Sequence, residues 1–331
     1  MAGKLTIHDF ARKIGVSTAT IWRAVHGEKG ISAGTRAMVL DKMAELGYQP
    51  SQAARALVTG RSRMVGLLMQ SIWNTFDAMV IRHMHEQALA HKYAMVVQDL
   101  ELDPQFQGVP GVVQLTLDGL IVHGVTPELR QIIEGRRLPA AALVSIGSAP
   151  ERNVDYVQSD LKSGAAEAIR HLVAIGCRRI VFVSPVHGSV VGDSRHDGYV
   201  AEITAAGLNP IQVIMEDASR AAASRAIQDH VSAAGVPDGV FCYNDDAALG
   251  VYRGLCELGL RAPEDVALVG CDGIEDTEYL ERPISTIVQP VRGMCAIAWR
   301  FLERRMRDPG TPQQQMVLQP RLSVRASSRR S

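Results

Sequence analysis

Residues 6–23 read TIHDFARKIGVSTATIWR and predict two short helices joined by a tight turn. Thr6 is suited to cap a helix that continues to Ile14, and apolar residues recur along one face of that helix. Residues 15–17 supply the turn, and a second helix extends over about 18–25. Two helices joined by a glycine-containing turn of about three residues are typical of a helix-turn-helix motif, whose second helix enters the major groove of DNA.

A third helix is predicted over about 33–46, after a loop at 26–30. We expect its apolar face to comprise Ala37, Leu40, Met43, Ala44 and Leu46. Pro50 begins a different segment, because residues 51–58 are rich in alanine but form only about two helical turns. An isolated helix of that length is marginal in water, so we predict a linker that is helical only where other groups support it.

The two parts of the chain differ in charge, although the formal net charge is zero. Residues 1–63 contain ten Lys and Arg and four Asp and Glu, which leaves +6 for this head and −6 for the remaining 268 residues. A basic head on an acidic body favours a module that binds a polyanion, attached to a second functional unit.

From Met64 onward, apolar strands alternate with helices. The predicted strands are 64–69, 94–97, 119–122, 141–146, 180–183, 240–243 and 266–269, and the predicted helices include 78–91, 164–175, 221–234 and 247–258. This alternation is typical of parallel sheets in α/β proteins. About 270 residues exceed one small sheet, so we expect two α/β lobes with a ligand cleft beyond the carboxyl ends of the strands. The polar tail 327–331 is expected to be disordered.

Several function classes lack support in the sequence. No run of about 18 apolar residues predicts a membrane span, and residues 1–10 have no apolar signal region, so we expect a cytoplasmic protein without a membrane partner. Five scattered cysteines fit a reducing compartment. His85 and His91 would point about 120° apart on a helix, which disfavours a metal site with His83 and Glu86. Phosphate-binding and nucleophile motifs are also lacking, so we expect neither an enzyme nor a cofactor.

Segments of the head and the body resemble the LacI/GalR (lac repressor) family of transcriptional regulators. They include residues 6–11 (TIHDFA), 15–23 (GVSTATIWR), 46–50 (LGYQP), 54–57 (ARAL), 117–121 (LDGLI), 195–199 (RHDGY), 244–250 (NDDAALG) and 263–272 (PEDVALVGCD). The resemblance extends in register from residue 5 to about 327. It implies an α/β fold class, in which an N-terminal three-helix helix-turn-helix domain and a hinge helix precede a two-lobed body like type I periplasmic binding proteins.

The same resemblance implies domain boundaries and partners. The DNA-binding domain is expected at 1–50, the hinge or linker at 51–60 and the effector-binding and dimerisation body at 61–326. The N-lobe would comprise about 61–159 plus 290–312, and the C-lobe about 160–289 plus 313–326. A homodimer, favoured over a tetramer, would bind a pseudo-palindromic double-stranded DNA operator and respond to a small-molecule effector.

The resemblance assigns DNA contacts to the head and the hinge. Arg23 can form two hydrogen bonds with guanine, or contact phosphate alone, and Ala19 can touch a thymine methyl group. Trp22 replaces a serine that is usual in the family, and we expect its ring to point outward toward the DNA backbone rather than into the core. Leu57 is the expected minor-groove wedge. The expected DNA-binding residues are Thr6, Ser17, Thr18, Ala19, Thr20, Trp22, Arg23, His26, Ser32, Thr35, Arg55 and Leu57.

The residues that the resemblance places in the effector cleft are Trp73, Phe76, Asp77, Asp160, Arg195, Asn244 and Asp272. Carboxylates accept hydrogen bonds from vicinal hydroxyls, and an aromatic face packs on C–H groups, so this set fits a polyol. Arg195 can hold a ring oxygen or a carboxylate. We therefore expect a sugar first and a sugar acid second. Asp77 replaces a frequent aromatic residue, and Trp73 either supplies the stacking ring instead or belongs to the core.

Two other function classes stay open at this point. A solute-binding protein for transport shares the body fold but needs export. A sugar-processing enzyme would lose turnover when Asp160 or Asp272 is replaced. The basic head followed by Pro50 and the hinge favours the ligand-switched regulator.

Overall fold

The computed structural model describes residues 5–26, 28–48, 61–102, 117–124, 142–147, 154–185 and 194–329. The chain divides into two compact units, residues 1–63 and 64–331. The hinge at 51–60, with Arg55 and Leu57, lies outside the described residues, and its predicted helix stays a prediction.

Three helices form the first unit: α1 (Ile7–Ile14), α2 (Thr18–His26) and α3 (Ala33–Glu45). Phe10 and Ile21 are buried at their centre, and the ring of Phe10 stacks on Tyr48 with centroids 4.4 Å apart. The predicted helix-turn-helix is confirmed. The apolar face predicted for α3 is partly wrong, because Val39 is fully buried whereas Leu40 is 44% exposed. Residues 38–40 are all apolar, so periodicity alone could not decide which of them faces inward.

The second unit contains twelve described strands in two six-stranded sheets. The strands are β1 (Met64–Met69), β2 (Ala94–Asp99), β3 (Gly119–His123), β4 (Leu143–Ile146), β5 (Asp155–Ser159), β6 (Ile180–Pro185), β7 (Ile211–Met215), β8 (Gly239–Cys242), β9 (Ala267–Asp272), β10 (Ser285–Val288), β11 (Gln315–Leu318) and β12 (Arg321–Ser323). The first sheet has the order β11-β5-β4-β3-β1-β2 and the second β12-β10-β9-β8-β6-β7. Every described pairing is parallel except that of β10 with β12.

Helices cover these sheets and divide the body into two lobes. The described helices are α4 (Thr75–Ala90), α5 (Leu161–Ala174), α6 (Ser194–Ala205), α7 (Arg220–Ala234), α8 (Asp245–Glu257) and α9 (Val291–Arg307). Trp299 of α9 is buried in the core of the first lobe. Phe182, Tyr199 and Phe241 stack in the core of the second lobe. The predicted α/β body with two parallel-dominated lobes is confirmed.

The chain passes between the lobes after β5, after β10 and between β11 and β12. The sequence assigned residues 313–326 to the C-lobe, but β11 pairs in parallel with β5 and therefore belongs to the first sheet. Only β12 within that stretch pairs with the second sheet. The two strands are separated by two residues and join different sheets, and no sequence pattern marks such a transition.

The described part of the tail, residues 327–329, differs from the expected disorder, and residues 330–331 lie outside the described residues. Ser327 and Ser328 are fully buried. The hydroxyl of Ser327 donates to the Leu268 carbonyl at 2.6 Å and accepts from the Ser285 N–H at 2.8 Å. Because each polar group finds a partner, this polar segment can lie against the second sheet without an unsatisfied hydrogen bond.

Within the described ranges, no helix combines the length and the apolar character needed to cross a bilayer. The same residues contain no group of three or more His, Cys, Asp or Glu side chains arranged to hold a metal ion.

Candidate DNA-binding surface and effector cleft

Hydroxyl side chains cap the helices of the head. The Thr6 hydroxyl accepts from the Asp9 N–H at 3.2 Å, and the Thr6 backbone N–H donates to Asp9 Oδ2 at 3.4 Å, which completes a capping box at the start of α1. The Ser17 hydroxyl accepts from the Thr20 N–H at 3.1 Å at the start of α2. These caps explain why the helices begin where the sequence predicted.

A matching cap lies at the start of α3, where the Ser32 hydroxyl accepts from the Thr35 N–H at 3.0 Å. In both pairs the two hydroxyls also lie within hydrogen-bond distance, at 2.9 Å for Ser17 and Thr20 and 2.8 Å for Ser32 and Thr35. Exposed hydroxyls and the positive end of a helix dipole attract phosphate, so the two helix starts are suited to hold a DNA backbone.

The exposed side of α2 carries the candidate base-reading residues. Ala19 and Arg23 are exposed, Thr18 is partly exposed, and Ile21 faces the core. The Arg23 side chain passes the loop glycine Gly30, since a Cβ there would lie 3.7 Å from Arg23 Cδ and Nε. The arrangement leaves the Arg23 guanidinium outside the core, where it can reach a base edge.

Trp22 differs from the expectation of an outward ring. The residue is half-buried, and its indole nitrogen has almost no contact with solvent. In this conformation the N–H cannot donate directly to a phosphate. His26 is the last residue of α2, and its side chain lies outside the described part of the structure.

A cavity of about 570 Å³ lies between the lobes of the body. Its wall on the first lobe includes Ser71, Trp73, Asn74, Thr75 and Glu101, and its wall on the second lobe includes Asp217, Ala218, Ser219, Arg220 and Asp246. These residues follow the carboxyl ends of β1, β2, β7 and β8. The cavity therefore occupies the position where parallel α/β sheets bind ligands.

Trp73 is the one sequence-predicted effector residue that lines this cavity. It is 72% exposed, and its indole N–H donates to the Glu101 carboxylate at 3.1 Å. The alternative of a core tryptophan is thus wrong. The ring is held at one edge by Glu101 and presents its remaining surface to solvent.

Asp77 is buried in the first turn of α4. Burial raises the pKa of its carboxyl to about 7, the negative charges of Asp246 and Asp99 add to this rise, and the backbone N–H groups of Asn74 and Trp73 oppose it. Oδ2 makes no hydrogen bond with a described residue. Oδ1 lies 3.7 Å from His123 Nδ1. Burial lowers the pKa of His123 to about 4, so this contact joins a carboxyl group to a neutral imidazole.

Asp272 and Arg195 both lie in the second lobe. Asp272 is buried at the end of β9, and Gln289 Nε2 donates to its Oδ1 at 2.7 Å. Burial and the neighbouring Asp245 raise its pKa, and the charge of Arg195 opposes this rise. The Arg195 guanidinium lies 3.5 Å from the centre of the Tyr243 ring and donates to the Tyr243 carbonyl at 2.9 Å.

Three other predicted effector residues make contacts within the protein: Asn244, Asp160 and Phe76. Asn244 caps α8 by accepting from the Ala247 N–H at 2.8 Å. Asp160 caps α5 through Ser163, and Gln319 donates to its Oδ2 at 3.2 Å. Burial raises the pKa of Asp160, but these hydrogen bonds outweigh it and lower the pKa overall. Asp160 and Gln319 lie on two segments that pass between the lobes. The hydrogen bond between their side chains therefore links those two segments. Phe76 packs against the hydrophobic core of the first lobe and against His123, whose ring centroid is 5.8 Å from that of Phe76.

Sequence reasoning missed Arg220 and Asp246, although Asp246 lies in a quoted motif. Arg220 Nε donates to Asp246 at 2.6 Å, and Nη2 donates to Asp276 at 3.2 Å. Gly250 permits this contact, because a Cβ there would lie 2.1 Å from the Arg220 carbonyl oxygen. In the sequence, the sign of this close approach between α8 and the backbone of Arg220 is Gly250 itself, which follows the acidic pair Asp245 and Asp246 by about one helical turn.

Two segments of the chain match described protein families. Residues 6–51 match bacterial regulatory proteins of the lacI family, and residues 169–328 match a periplasmic binding protein-like domain. The chain is similar to catabolite control protein A of Priestia megaterium, with 27% identity over 336 residues that cover 98% of this chain and 99% of the relative. It is also similar to the ribose operon repressor of Haemophilus influenzae, with 28% identity over 326 residues that cover 97% and 98%.

Solved structures agree with these similarities. A transcriptional regulator in complex with cellobiose superposes with a TM-score of 0.69 at 25% identity, covering 97% of this chain and 99% of that chain. The lac repressor dimer bound to operator and an anti-inducer has a TM-score of 0.85 at 23% identity, covering 98% and 99%, and this likeness shows the shared fold. Matched in its head and in its body, the chain belongs to the LacI family and is a DNA-binding transcriptional regulator rather than an enzyme.

Proposed function

We propose that this regulator is a homodimeric repressor of carbohydrate-utilisation genes, whose affinity for a pseudo-palindromic operator is switched by a sugar-like effector between the lobes. The observation that carries the proposal is the presence, in one chain, of a capped helix-turn-helix and a cavity between two lobes. A solute-binding protein would have no use for the basic head. Because a DNA operator is reached from the cytoplasm, we propose that the protein acts there.

The expected DNA contacts belong to this proposal. Ser17, Thr20, Ser32 and Thr35 would hold phosphates at the starts of α2 and α3, and Thr18, Ala19 and Arg23 would read bases. Arg55 and Leu57 of the hinge complete the set, with Leu57 as a wedge that opens the central base step only when both hinges are docked. An effector that changes the spacing between the two hinges would remove that support.

The effector is proposed to be a sugar because the names of two similar proteins refer to sugars. One solved relative contains cellobiose, and another relative is named for the ribose operon. In this chain the cavity offers carboxylates that accept hydrogen bonds and one exposed indole ring that can pack on C–H groups. A sugar acid would have to compete for Arg195, which already contacts the carbonyl and the ring of Tyr243.

A mobility-shift titration tests the whole proposal. The full-length protein is incubated with the region upstream of its own gene and with random DNA at physiological salt. Preferential binding that changes when a sugar panel is added is the expected result. Equal affinity for both DNAs would contradict the regulator assignment, and unchanged preferential binding with every sugar would contradict the effector assignment.

Arg23→Ala is expected to weaken operator binding by about 1–3 kcal/mol and to relax base preference at one position in each half-site. The physical reason is the loss of a two-pronged hydrogen bond to guanine. Competition with operators substituted at each position measures the effect. Arg12→Ala is the matched control, because Arg12 is also exposed on the head but pairs with Asp9 on α1. Uniform weakening on every sequence would show that Arg23 contacts phosphate alone.

Asp272→Asn is expected to weaken the effector response by a few-fold to about tenfold, since one hydrogen bond contributes about 0.5–1.5 kcal/mol. Asn suits the unusual backbone at this position, where φ is 132°, better than Ala does. Effector titrations of operator binding give the measurement. DNA binding without effector should match that of the parent, and loss of both activities would indicate a folding defect instead.

A further inference from the structure

Trp73 is held in a fixed orientation although its side chain is largely exposed. It is 72% exposed on the wall of the interlobe cavity, and its indole N–H donates to Glu101 Oε2 at 3.1 Å. Single exposed apolar side chains are common and need no functional explanation. Trp73 differs from them because its acceptor lies 28 positions away in sequence, on the segment that follows β2. The anchoring of this exposed ring therefore needs a reason of its own.

The Asp99 carboxylate joins the two segments that carry Trp73 and Glu101. Asp99 is the last residue of β2, which pairs in parallel with β1. Its Oδ2 accepts from the Ile72 N–H at 3.1 Å, and its Oδ1 accepts from the Glu101 N–H at 2.9 Å. The backbone that follows β1 is therefore tied to the backbone that follows β2, immediately before Trp73 on one side and at Glu101 on the other.

Anchoring at both ends gives the indole ring one orientation. The backbone before Trp73 is held by Asp99, and the polar edge of the ring is held by Glu101. This ordering costs side-chain entropy, and it removes little of the ring from water, so it contributes little to the stability of the free protein. An ordered ring that the core does not require is preorganised for a ligand, because the cost of ordering is met before binding.

The ligand that suits this ring has an apolar face. The indole uses its one polar atom for Glu101, so the surface that it presents to the cavity is apolar. The C–H groups of a pyranose gather on the faces of its ring and can pack on an aromatic side chain, whereas an open-chain polyol has no such face. Polar residues that include Ser71 and Thr75 line the same cavity and suit the hydroxyl groups at the edge of a sugar ring.

Resting on the sugar effector proposed above, we infer that Glu101 is a positioning residue for that effector and that the effector is a cyclic sugar. Glu101 acts through Trp73, by holding the indole where a pyranose ring stacks on its face. Asp99 holds the backbone that carries both residues. Glu101 thus contributes to the affinity without contacting the sugar.

Matched cyclic and open-chain sugars test the ligand class on the full-length protein. The probes are glucose, galactose, mannose and cellobiose, together with glucitol, galactitol and mannitol, each assayed by calorimetry and by thermal shift. At least one pyranose should bind about tenfold more tightly than its open-chain counterpart, as expected for the apolar contact of one ring face. Trp73→Ala should remove this difference.

Glu101→Ala should weaken the binding of that pyranose about two- to tenfold, the range expected for one hydrogen bond. Glu101→Gln keeps an acceptor oxygen for the indole N–H and should stay within about twofold of the parent. In a Trp73→Ala background, Glu101→Ala should have no further effect, because a residue that acts through the ring loses its influence with the ring. Glu257→Ala is the matched control, since it removes an equal charge at the end of α8, where Glu257 pairs with Arg253.

Fluorine NMR of the full-length protein labelled with 5-fluorotryptophan gives a measurement without ligand. The chain has three tryptophans, and Trp73→Phe assigns the signal of Trp73. Glu101→Ala should shift and sharpen that signal, as expected for a ring released from its anchor. Glu101→Gln should leave it in place, and the other two signals should not move in either variant.

Equal binding of cyclic and open-chain sugars, or no binding of any probe, would overturn the assignment of a cyclic sugar. Equal effects of Glu101→Ala with and without the Trp73 ring would show that Glu101 contacts the ligand itself. An unmoved Trp73 signal in Glu101→Ala would show that Glu101 does not hold the ring, and either of these two results would overturn the positioning role. Operator binding that still responds to a sugar would leave the proposed regulator intact in each case, so the two failures are distinguishable.

Discussion

Arg305→Ala is expected to lower the free energy of unfolding of the body by about 3–5 kcal/mol, because it removes one partner of a buried ion pair. Asp155 at the start of β5 is completely buried. Arg305 Nε and Nη2 donate to its two carboxylate oxygens at 3.0 and 2.8 Å. Gln314 donates to the same carboxylate through its backbone N–H at 2.7 Å and its side-chain amide at 3.0 Å, but it brings no charge.

The effect should be large because Arg305 also organises the approach to β11. Its Nη1 donates to the carbonyls of Pro309, at 2.9 Å, and Thr311. Alanine would therefore leave a buried charge and two carbonyl groups without their donor. Chemical denaturation followed by far-UV circular dichroism and by tryptophan fluorescence, to which the buried Trp299 of the same lobe contributes, measures the loss.

Arg307→Ala is the matched control on α9. Arg307 is 72% exposed and pairs with Glu303 one turn earlier, so its removal should change stability by no more than about 1 kcal/mol. Equal losses for the two variants would show that the contact with Asp155 is not what stabilises this part of the lobe.

Asp77→Asn is expected to stabilise the protein without effector by up to about 4 kcal/mol at pH 8 and hardly at all near pH 4. The carboxyl has a pKa of about 7 in the folded chain against an ordinary value of 3.8. Below pH 4 it is protonated in both states and costs nothing. As the pH rises from 4 to 7, the unfolded state releases the proton first, so stability falls. Above pH 7 the full cost of the buried charge is present.

Asparagine has nearly the same shape as aspartate but carries no charge, so the variant should not lose stability as the pH rises. The groups that face Asp77 are His123, Asp99 and Asp246, and all of them remain in the variant, so their titration largely cancels from the difference. Urea denaturation of both proteins at several pH values between 4 and 8 gives the curve. Asp229→Asn, at an exposed position of α7, is the control and should differ from the parent by no more than about 0.5 kcal/mol. A stability difference that is flat across this range would mean that Asp77 ionises as an ordinary surface carboxyl does.

Local signals in the sequence were sufficient for the head. Thr6 and Ser17 cap the helices predicted for them, since capping depends on residues three positions apart. The strands predicted in the body, including 64–69 and 119–122, were recognised because buried parallel strands are continuously apolar. The inward face of α3 was not recognised, because three consecutive apolar residues fit more than one helical phase.

The sequence predicted where the candidate effector site lies, but only some of the residues that form it. The position of the cleft follows from the α/β alternation, because ligands bind at the carboxyl ends of parallel strands. Trp73 lines the cavity as the resemblance implied, whereas Asp160 is engaged as a helix cap between two interlobe segments. Its partner Gln319 lies 159 positions away in sequence, and no local pattern reports a contact over that distance.

The sequence by itself determined the helix-turn-helix, the basic charge of the head, the α/β alternation of the body and the family. All of these depend on residue type and short-range spacing. Only the tertiary structure decided that β11 joins the first sheet and that Ser327 and Ser328 are buried. It also decided that the Asp77 carboxyl is buried and that Arg220 bonds to Asp246. Burial, desolvation and pairing depend on which distant segments come together, and that information is absent from the spacing of residues along the chain.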